Sequence, residues 1–200
     1  MGAVLSKGGK ATLTKTSSQM VLAVGLSWDT PTVPTSDPTW DLDVTAFVCQ
    51  YDSAGNPKVY NGSDQYMVFY NNLKTPDGAV YHSGDERSGA AAGDDETIMI
   101  ETSKLPADVA EIPIIVTIHE GLALRRTFGQ VRNPKIRIYD ASNGNELMSY
   151  ELDEDYSGDV SVQFGSIYKR GDEWKFNAVG AGFEDRELGD FCAYFGVPVA

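Results

Sequence analysis

Short apolar or alternating runs recur along the whole chain and are separated by polar turns. They are rich in Val, Ile, Tyr and Phe, which favour the half-buried surface of a sheet. The runs lie at residues 21–26, 44–48, 66–70, 97–100, 112–118, 135–139, 146–152, 160–168 and 174–179. Most of these runs are predicted to be β-strands.

The turns between the runs carry Gly, Asn, Asp and Pro at close spacing. Such clusters lie at residues 53–57, 76–78, 142–145 and 170–172. Asn143-Gly144 between two runs predicts a β-hairpin, because both residues tolerate the positive φ that a two-residue turn requires. This rhythm favours an all-β, antiparallel two-sheet sandwich formed by one domain over residues 1–200, and it disfavours alternating β and α units.

The end of the chain has a different period. Leu188, Phe191, Cys192 and Phe195 follow the spacing of one helical face, and Gly196 closes the pattern. A short C-terminal helix is therefore predicted to pack against the sandwich. Residues 30–39 contain three prolines, which lack the amide donor of a sheet ladder, and are predicted to form a loop.

Charge and composition narrow the function classes. Of the 200 residues, 16 are Lys or Arg and 29 are Asp or Glu, which gives a formal net charge of −13. That field repels phosphate backbones, so nucleic acid is not an expected partner, whereas cations are attracted. Two distant cysteines indicate neither a zinc site nor a disulfide framework. No signal peptide or transmembrane segment is expected, and the predicted location is the cytoplasm.

Two carboxylates stand at the entry to the second predicted strand. Asp41 and Asp43 flank Leu42, and side chains two apart in an extended chain point to the same side. Both carboxylates are therefore expected to face one point while Leu42 enters the core. Two neighbouring like charges repel each other, which favours a bound cation or a nearby arginine.

Further oxygen donors lie in residues 71–78 and 82–96, where small residues leave room for backbone carbonyls around an ion. Carboxylate, amide and carbonyl oxygens suit calcium, whereas zinc favours Cys and His. Residues 85–96 have the length of an EF-hand loop but fail its pattern at Arg87, Gly89 and Ala90. Any calcium is therefore expected in loops at strand ends, although an acidic loop of this kind is often only solvated surface.

Two other function classes stay open. A glycosidase-like hydrolase would use paired carboxylates such as Asp41 and Asp95 as acid and base. Alternatively, the sandwich would bind a small ligand or a protein and keep calcium for structure alone. His119 ends an apolar strand without a Ser or Cys nucleophile in its neighbourhood. It is expected to be a satisfied core residue or to support a neighbouring ligand, rather than to act as a ligand or base itself.

Several ordered motifs together resemble the TerD family of bacterial tellurite-resistance and general stress proteins. The likeness covers nearly the whole chain. The motifs lie at residues 5–9, 41–43, 68–73, 76–78, 82–85, 93–96, 116–119, 128–133, 174–176 and 179–180.

This resemblance implies a β-sandwich that binds calcium, in more than one site, through acidic loops and has no catalytic activity. It would serve a stress response, with protein partners of a stress-response complex. The implied ligands are Asp41, Asp43, Asn72, Asp77, Asp85, Asp94, Asp95 and Glu96. The chain departs from the family pattern at residues 88–92, where Ala90, Ala91 and Ala92 remove a side-chain donor before Gly93.

Overall fold

The computed structural model describes residues 3–4, 8–13, 21–29, 40–84, 93–151 and 156–198. The predicted loop at residues 30–39 and the Ala-rich stretch at residues 88–92 lie outside these ranges. The strands are β1 Ala3–Val4, β2 Lys10–Thr12, β3 Val21–Asp29, β4 Leu42–Phe47, β5 Cys49–Tyr51, β6 Pro57–Val59, β7 Met67–Val68, β8 Val80–His82, β9 Glu96–Glu101, β10 Glu111–Ile118, β11 Arg132–Asp140, β12 Asn145–Glu151, β13 Ser161–Arg170, β14 Glu173–Asn177 and β15 Ala181–Phe183. The α-helices in the described ranges are α1 Gly121–Leu124 and α2 Leu188–Phe195.

These strands form two sheets, as predicted. Sheet A has the order β1-β12-β11-β3-β9-β8, and sheet B has the order β2-β14-β13-β10-β4-β7. In sheet B, β15 also pairs with β13, and β5 pairs with β10 and β6. Neighbours run antiparallel except β1, which lies parallel to β12. The predicted all-β, antiparallel two-sheet architecture is confirmed.

The main hydrophobic core lies between the sheets, because alternate residues of facing strands point inwards. In β3, Leu22, Val24, Leu26 and Trp28 join this core. Sheet B contributes the inward residues of β4 and β10 in the same alternating manner. Among the described residues, no helix is long and apolar enough to cross a membrane.

The C-terminal helix α2 is confirmed and covers the opposite face of sheet B. Phe191 and Phe195 of α2 form a second apolar cluster with Phe47 of β4, and the Phe47 and Phe195 ring centroids lie 4.5 Å apart. Burial of three aromatic rings fixes the helix more firmly than its eight residues would by propensity alone. Gly196 ends the helix at φ 71°, a conformation that favours glycine.

The predicted hairpin at Asn143-Gly144 is confirmed between β11 and β12. Its turn is held by Asp140, whose carboxylate accepts hydrogen bonds from the Ser142 hydroxyl at 2.6 Å, the Ser142 amide at 2.9 Å and Asn143 Nδ2 at 2.8 Å. Bonding by the Ser142 hydroxyl, and then by its amide, lowers the pKa of Asp140 below its ordinary 3.8.

We expect Asp140→Ala to lower the free energy of unfolding at neutral pH by about 1 kcal/mol, since charged hydrogen bonds at the turn are lost. A folded-state pKa below the unfolded value stabilises the fold above that unfolded value, and the contribution disappears as the pH falls through the folded pKa. Urea unfolding at pH 7 and in strong acid measures this. Asp172→Ala, in the exposed turn between β13 and β14, serves as control. A difference between wild type and Asp140→Ala that persists unchanged in strong acid would contradict the role of the carboxylate.

Candidate functional site: acidic residues around β4 and β9

Asp41 and Asp43 lie at the start of β4 with their residue surfaces 6% and 3% exposed. Leu42 between them belongs to the core between the sheets, while Asp43 lines a cavity on the other face of sheet B. The predicted opposition of Leu42 and Asp43 is therefore confirmed. The backbone carbonyl of Asp41 accepts a hydrogen bond from the His119 amide at 2.9 Å, which fixes the entry of β4 against the end of β10.

The cavity beside Asp43 has a volume of about 200 Å³ and a strongly acidic lining. Three of its lining residues are Asp43, Glu120 and Glu187, and no Lys or Arg is found among its described lining residues. Glu120 has a left-handed backbone, with φ 51°, just before α1, and Glu187 Oε1 accepts a hydrogen bond from the Leu122 amide at 3.2 Å. Sequence reasoning missed both glutamates, because they are distant from Asp43 along the chain and lie outside the acidic segment at residues 41–96.

His119 lies at the rim of this cavity, with its side chain 38% exposed. Its Nδ1 is 3.7 Å from Asp43 Oδ2, and its ring lies edge-on to Tyr70 at a centroid distance of 6.2 Å. His119 therefore lies beside Asp43, a predicted calcium ligand, where it can support that carboxylate.

Glu96 is fully buried and faces the space between the sheets. It is in phase with Ile98 and Ile100 of β9, which belong to the core. Its Oε2 accepts a hydrogen bond from the Val44 amide at 2.7 Å and lies 3.4 Å from His82 Nε2. Because β7 pairs with β4 only at Ala46 and Phe47, the Glu96 carboxylate satisfies a backbone donor that no strand reaches there.

Asp95 extends the pairing between β3 and β9 by one residue. Its amide donates to the Leu26 carbonyl at 2.8 Å, and its Oδ2 accepts from the Trp28 amide at 2.9 Å. The Trp28 indole in turn donates to the Trp40 carbonyl, next to Asp41. Asp95 therefore connects the end of β3 to the segment that precedes β4.

Asp94 lies on the outer face of sheet A. Its two carboxylate oxygens accept from Arg137 Nε and Nη2 at 2.8 and 2.9 Å, and this hydrogen bonding raises the pKa of Arg137. A Cβ at Gly25 would be 2.2 Å from Asp94 Oδ2, so glycine is required for the carboxylate to lie over β3. A glycine inside the β3 run was the sequence signal for such a close approach.

Asn72 and Asp77 lie in separate turns. Asn72 Nδ2 donates to the carbonyls of Met67 at 2.7 Å and Gln65 at 3.2 Å. Asp77 Oδ1 accepts from the Thr75 hydroxyl at 2.7 Å and the Ala79 amide at 2.8 Å, which closes the turn before β8.

The eight predicted ligands thus occupy several distinct places. Asp41 and Asp43 lie at the start of β4, Asp95 and Glu96 at the start of β9, and Asp94 on the outer face of sheet A. Asp85 lies outside the described residues. Within the described ranges, no three Asp, Glu, His or Cys side chains are arranged so that they could hold one metal ion. The oxygen donors around β4 suit a hard cation by type, and the assignment of all eight as calcium ligands stays a prediction.

Comparison with known proteins adds to this geometry. The TerD domain family matches residues 1–195. The chain is 41% identical over 198 residues to the tellurium resistance protein TerD of an Alcaligenes species, with 98% of each chain covered. It is 39% identical over 181 residues to general stress protein 16U of Bacillus subtilis, with 90% of each chain covered.

A crystal structure of a protein of unknown function shares the fold, with a TM-score of 0.72, 24% identity and coverage of 90% of this chain and 99% of that one. The two-sheet fold and the match over nearly the whole chain agree with each other. The chain belongs to the TerD family, whose named members include tellurium-resistance and general stress proteins.

Proposed function

We propose that this chain serves a bacterial stress or tellurium-resistance response as a non-catalytic calcium-binding module. The names of its relatives support a role in such a response, and none of the names cited above is that of an enzyme. Asp41 and Asp43 would hold calcium, together with donors from the neighbouring acidic loops. Protein partners of a stress-response complex would then bind the ordered loops, and the chain would act in the cytoplasm.

The observation that carries the proposal is the burial of Asp41 and Asp43, each more than nine-tenths removed from solvent and two residues apart. Removing carboxylates from water is unfavourable, and a divalent cation offsets that cost. Glu120 and Glu187 add negative charge around the cavity that Asp43 lines. Bound calcium would neutralise the negative charge of these carboxylates. The start of β4 would hold the carboxylates of Asp41 and Asp43 in place for the ion.

The carboxylates of Asp95 and Glu96 also fix the strands around the proposed calcium site. Glu96 accepts from the Val44 amide and holds the starts of β4 and β9 next to each other, and Asp95 accepts from the Trp28 amide at the end of β3. The Glu96 carboxylate lies on the interior side of β4, in phase with Ile98 and Ile100, whereas Asp43 lines the outer cavity. A second calcium ion is consequently proposed at the start of β9, separate from the ion at Asp41 and Asp43.

A thermal unfolding experiment tests the proposal. With 1 mM free calcium instead of chelator, we expect stability to rise by about 2–3 kcal/mol if the ion binds at about 10 μM, because calcium binds only the folded state. For a protein of this size that corresponds to an increase in Tm of roughly 5–10 °C. We expect Asp43→Asn to lose the part of this increase that comes from the ion at Asp41 and Asp43. In chelator it should be no less stable than wild type, since it removes charge repulsion.

Asp172→Asn is the matched control, because it makes the same chemical change in an exposed turn between β13 and β14. It should keep the full response to calcium. An unchanged Tm for the wild-type protein at 1 mM calcium would contradict calcium binding. A full calcium response in Asp43→Asn would instead show that calcium does not bind at the start of β4.

A further inference from the structure

A larger cavity lies on the outer side of sheet B, between α2 and residues 64–72. Its volume is about 510 Å³, within the range of roughly 300–1,000 Å³ that is typical of small-molecule sites. One wall is apolar and is contributed by both elements. It consists of Met67, Phe69, Leu188, Cys192, Val197 and Pro198.

The polar part of the lining is rich in acceptors and carries a single ionisable charge. Asp64 supplies the carboxylate, and Gln65, Asn71 and Asn72 supply amides. No Lys, Arg or His is found among the described residues that line the cavity. Both amide protons of Asn72 are directed to the carbonyls of Gln65 and Met67, which leaves its oxygen as an acceptor.

The cavity wall is held in place by bonds that do not involve a ligand. Gly196 ends α2, and the Val197 amide donates to the Cys192 carbonyl at 2.8 Å, so the residues after the helix turn back over the cavity. The thiol of Cys192, in α2, lies 3.5 Å from the sulfur of Met67, in β7. At Gly189, a Cβ would meet no atom within 4 Å, so the absent side chain leaves open space in the wall.

We propose that this cavity binds a small amphipathic cation, with its apolar body against Met67, Phe69 and Leu188 and its ammonium group paired with Asp64. The choice of a cation follows from charge: the lining offers one carboxylate and several acceptors, and the whole chain carries a net charge of −13. An anion of the same shape would meet Asp64 without any compensating basic group. Asn72, a predicted calcium ligand, lines this cavity, and Leu188 and Gly189 also line the cavity beside Asp43. Binding of the cation is therefore tested in chelator, which separates it from any effect of calcium.

Cys192 provides a reporter inside the cavity. The chain has two cysteines, and Cys49 is buried in the cluster beneath α2, where burial strongly raises the pKa of its thiol. Burial also raises the pKa of Cys192, yet this thiol lines the cavity and is partly exposed. Iodoacetamide at pH 8 should therefore modify Cys192 in the folded protein well before Cys49, and a cavity ligand should slow that reaction.

The test compares three probes of similar shape in the presence of chelator: 4-phenylbutylamine, 4-phenyl-1-butanol and 4-phenylbutyrate. Calorimetric titration and protection of Cys192 give two readouts. We expect the amine to bind more tightly than the alcohol, by about 2–5-fold for an exposed charge pair, and the acid to bind most weakly. Asp64→Asn should bring the amine to the affinity of the alcohol and leave the alcohol unchanged.

Gly189→Leu is expected to fill the cavity and to abolish binding of all three probes. Its fold is checked by the unfolding transition, which should be retained because leucine favours a helix over glycine. The cavity proposal is overturned if no probe binds the wild-type protein at millimolar concentration, or if folded Gly189→Leu binds as wild type does. Equal affinity for the amine and the acid overturns the preference for a cation. Because chelator is present throughout, these outcomes are separate from the calcium test.

Discussion

Replacing Phe195 with alanine is expected to lower the free energy of unfolding by about 3–5 kcal/mol, as for other buried aromatic residues. The Phe195 residue surface is 1% exposed, and its ring packs on Phe47, which is fully buried. Truncation leaves a cavity beneath α2 and removes one of the aromatic contacts that attach the helix to sheet B. Urea unfolding of the two proteins measures the difference, and faster modification of Cys192 should accompany it.

Tyr194→Ala is the matched control, since Tyr194 is the preceding residue of α2 and 53% exposed. Its ring contacts Lys58 and the edge of Phe195, and its loss should cost at most about 1 kcal/mol. Similar losses in the two variants would contradict the attachment of α2 through Phe195. A folded Phe195→Ala protein with unchanged Cys192 reactivity would show that other residues hold the helix.

Glu96→Ala is expected to destabilise the fold by about 2–4 kcal/mol in chelator. The substitution leaves the Val44 amide buried without its acceptor and removes one methylene and the carboxylate from the interior between the sheets. Glu96→Gln keeps a carbonyl acceptor and should cost less. Chemical unfolding in chelator is the appropriate measurement, because it excludes any contribution of a bound ion.

Glu101→Ala is the control for this change, because Glu101 lies on the same strand and forms a partly exposed ion pair with Lys104 at 2.8 Å. Such a pair contributes about 0–1 kcal/mol. If Glu96→Ala matches wild type in chelator and differs only when calcium is added, then Glu96 is a ligand and not a partner of the β4 backbone.

The long strands and the C-terminal helix could be predicted because each carries its own pattern. The runs at residues 21–26 and 112–118 lie within Val21–Asp29 and Glu111–Ile118. The short edge strands could not be predicted. Ala3–Val4, Val80–His82 and Ala181–Phe183 are too short for alternation to be recognised, and they become strands only through the partner that each one meets.

For the candidate site, the sequence predicted the direction in which single side chains point. It did not predict which distant residues come together. Spacing alone placed Asp43 opposite Leu42, because period-two alternation is a local property. Spacing did not show that Asp94 and Glu96 lie on opposite faces of sheet A, although the shared phase of Glu96 and Ile98 indicated that Glu96 points inwards. Nor did it bring Glu120 and Glu187 to the cavity beside Asp43, since these residues lie just before α1 and α2, far from β4 in the sequence.

The position of β3 in sheet A also has a consequence for the order of events during synthesis. Its neighbours are β9 and β11, and Gly25 pairs with Thr97 on one side and Arg137 on the other. At a translation rate of roughly 5–20 residues per second, β3 waits on the order of 5–20 s before β11 leaves the ribosome. Throughout that interval Leu22, Val24, Leu26 and Trp28 have no finished sheet to enter. During synthesis the apolar residues of β3 are therefore open to non-native contacts until both neighbouring strands have been made.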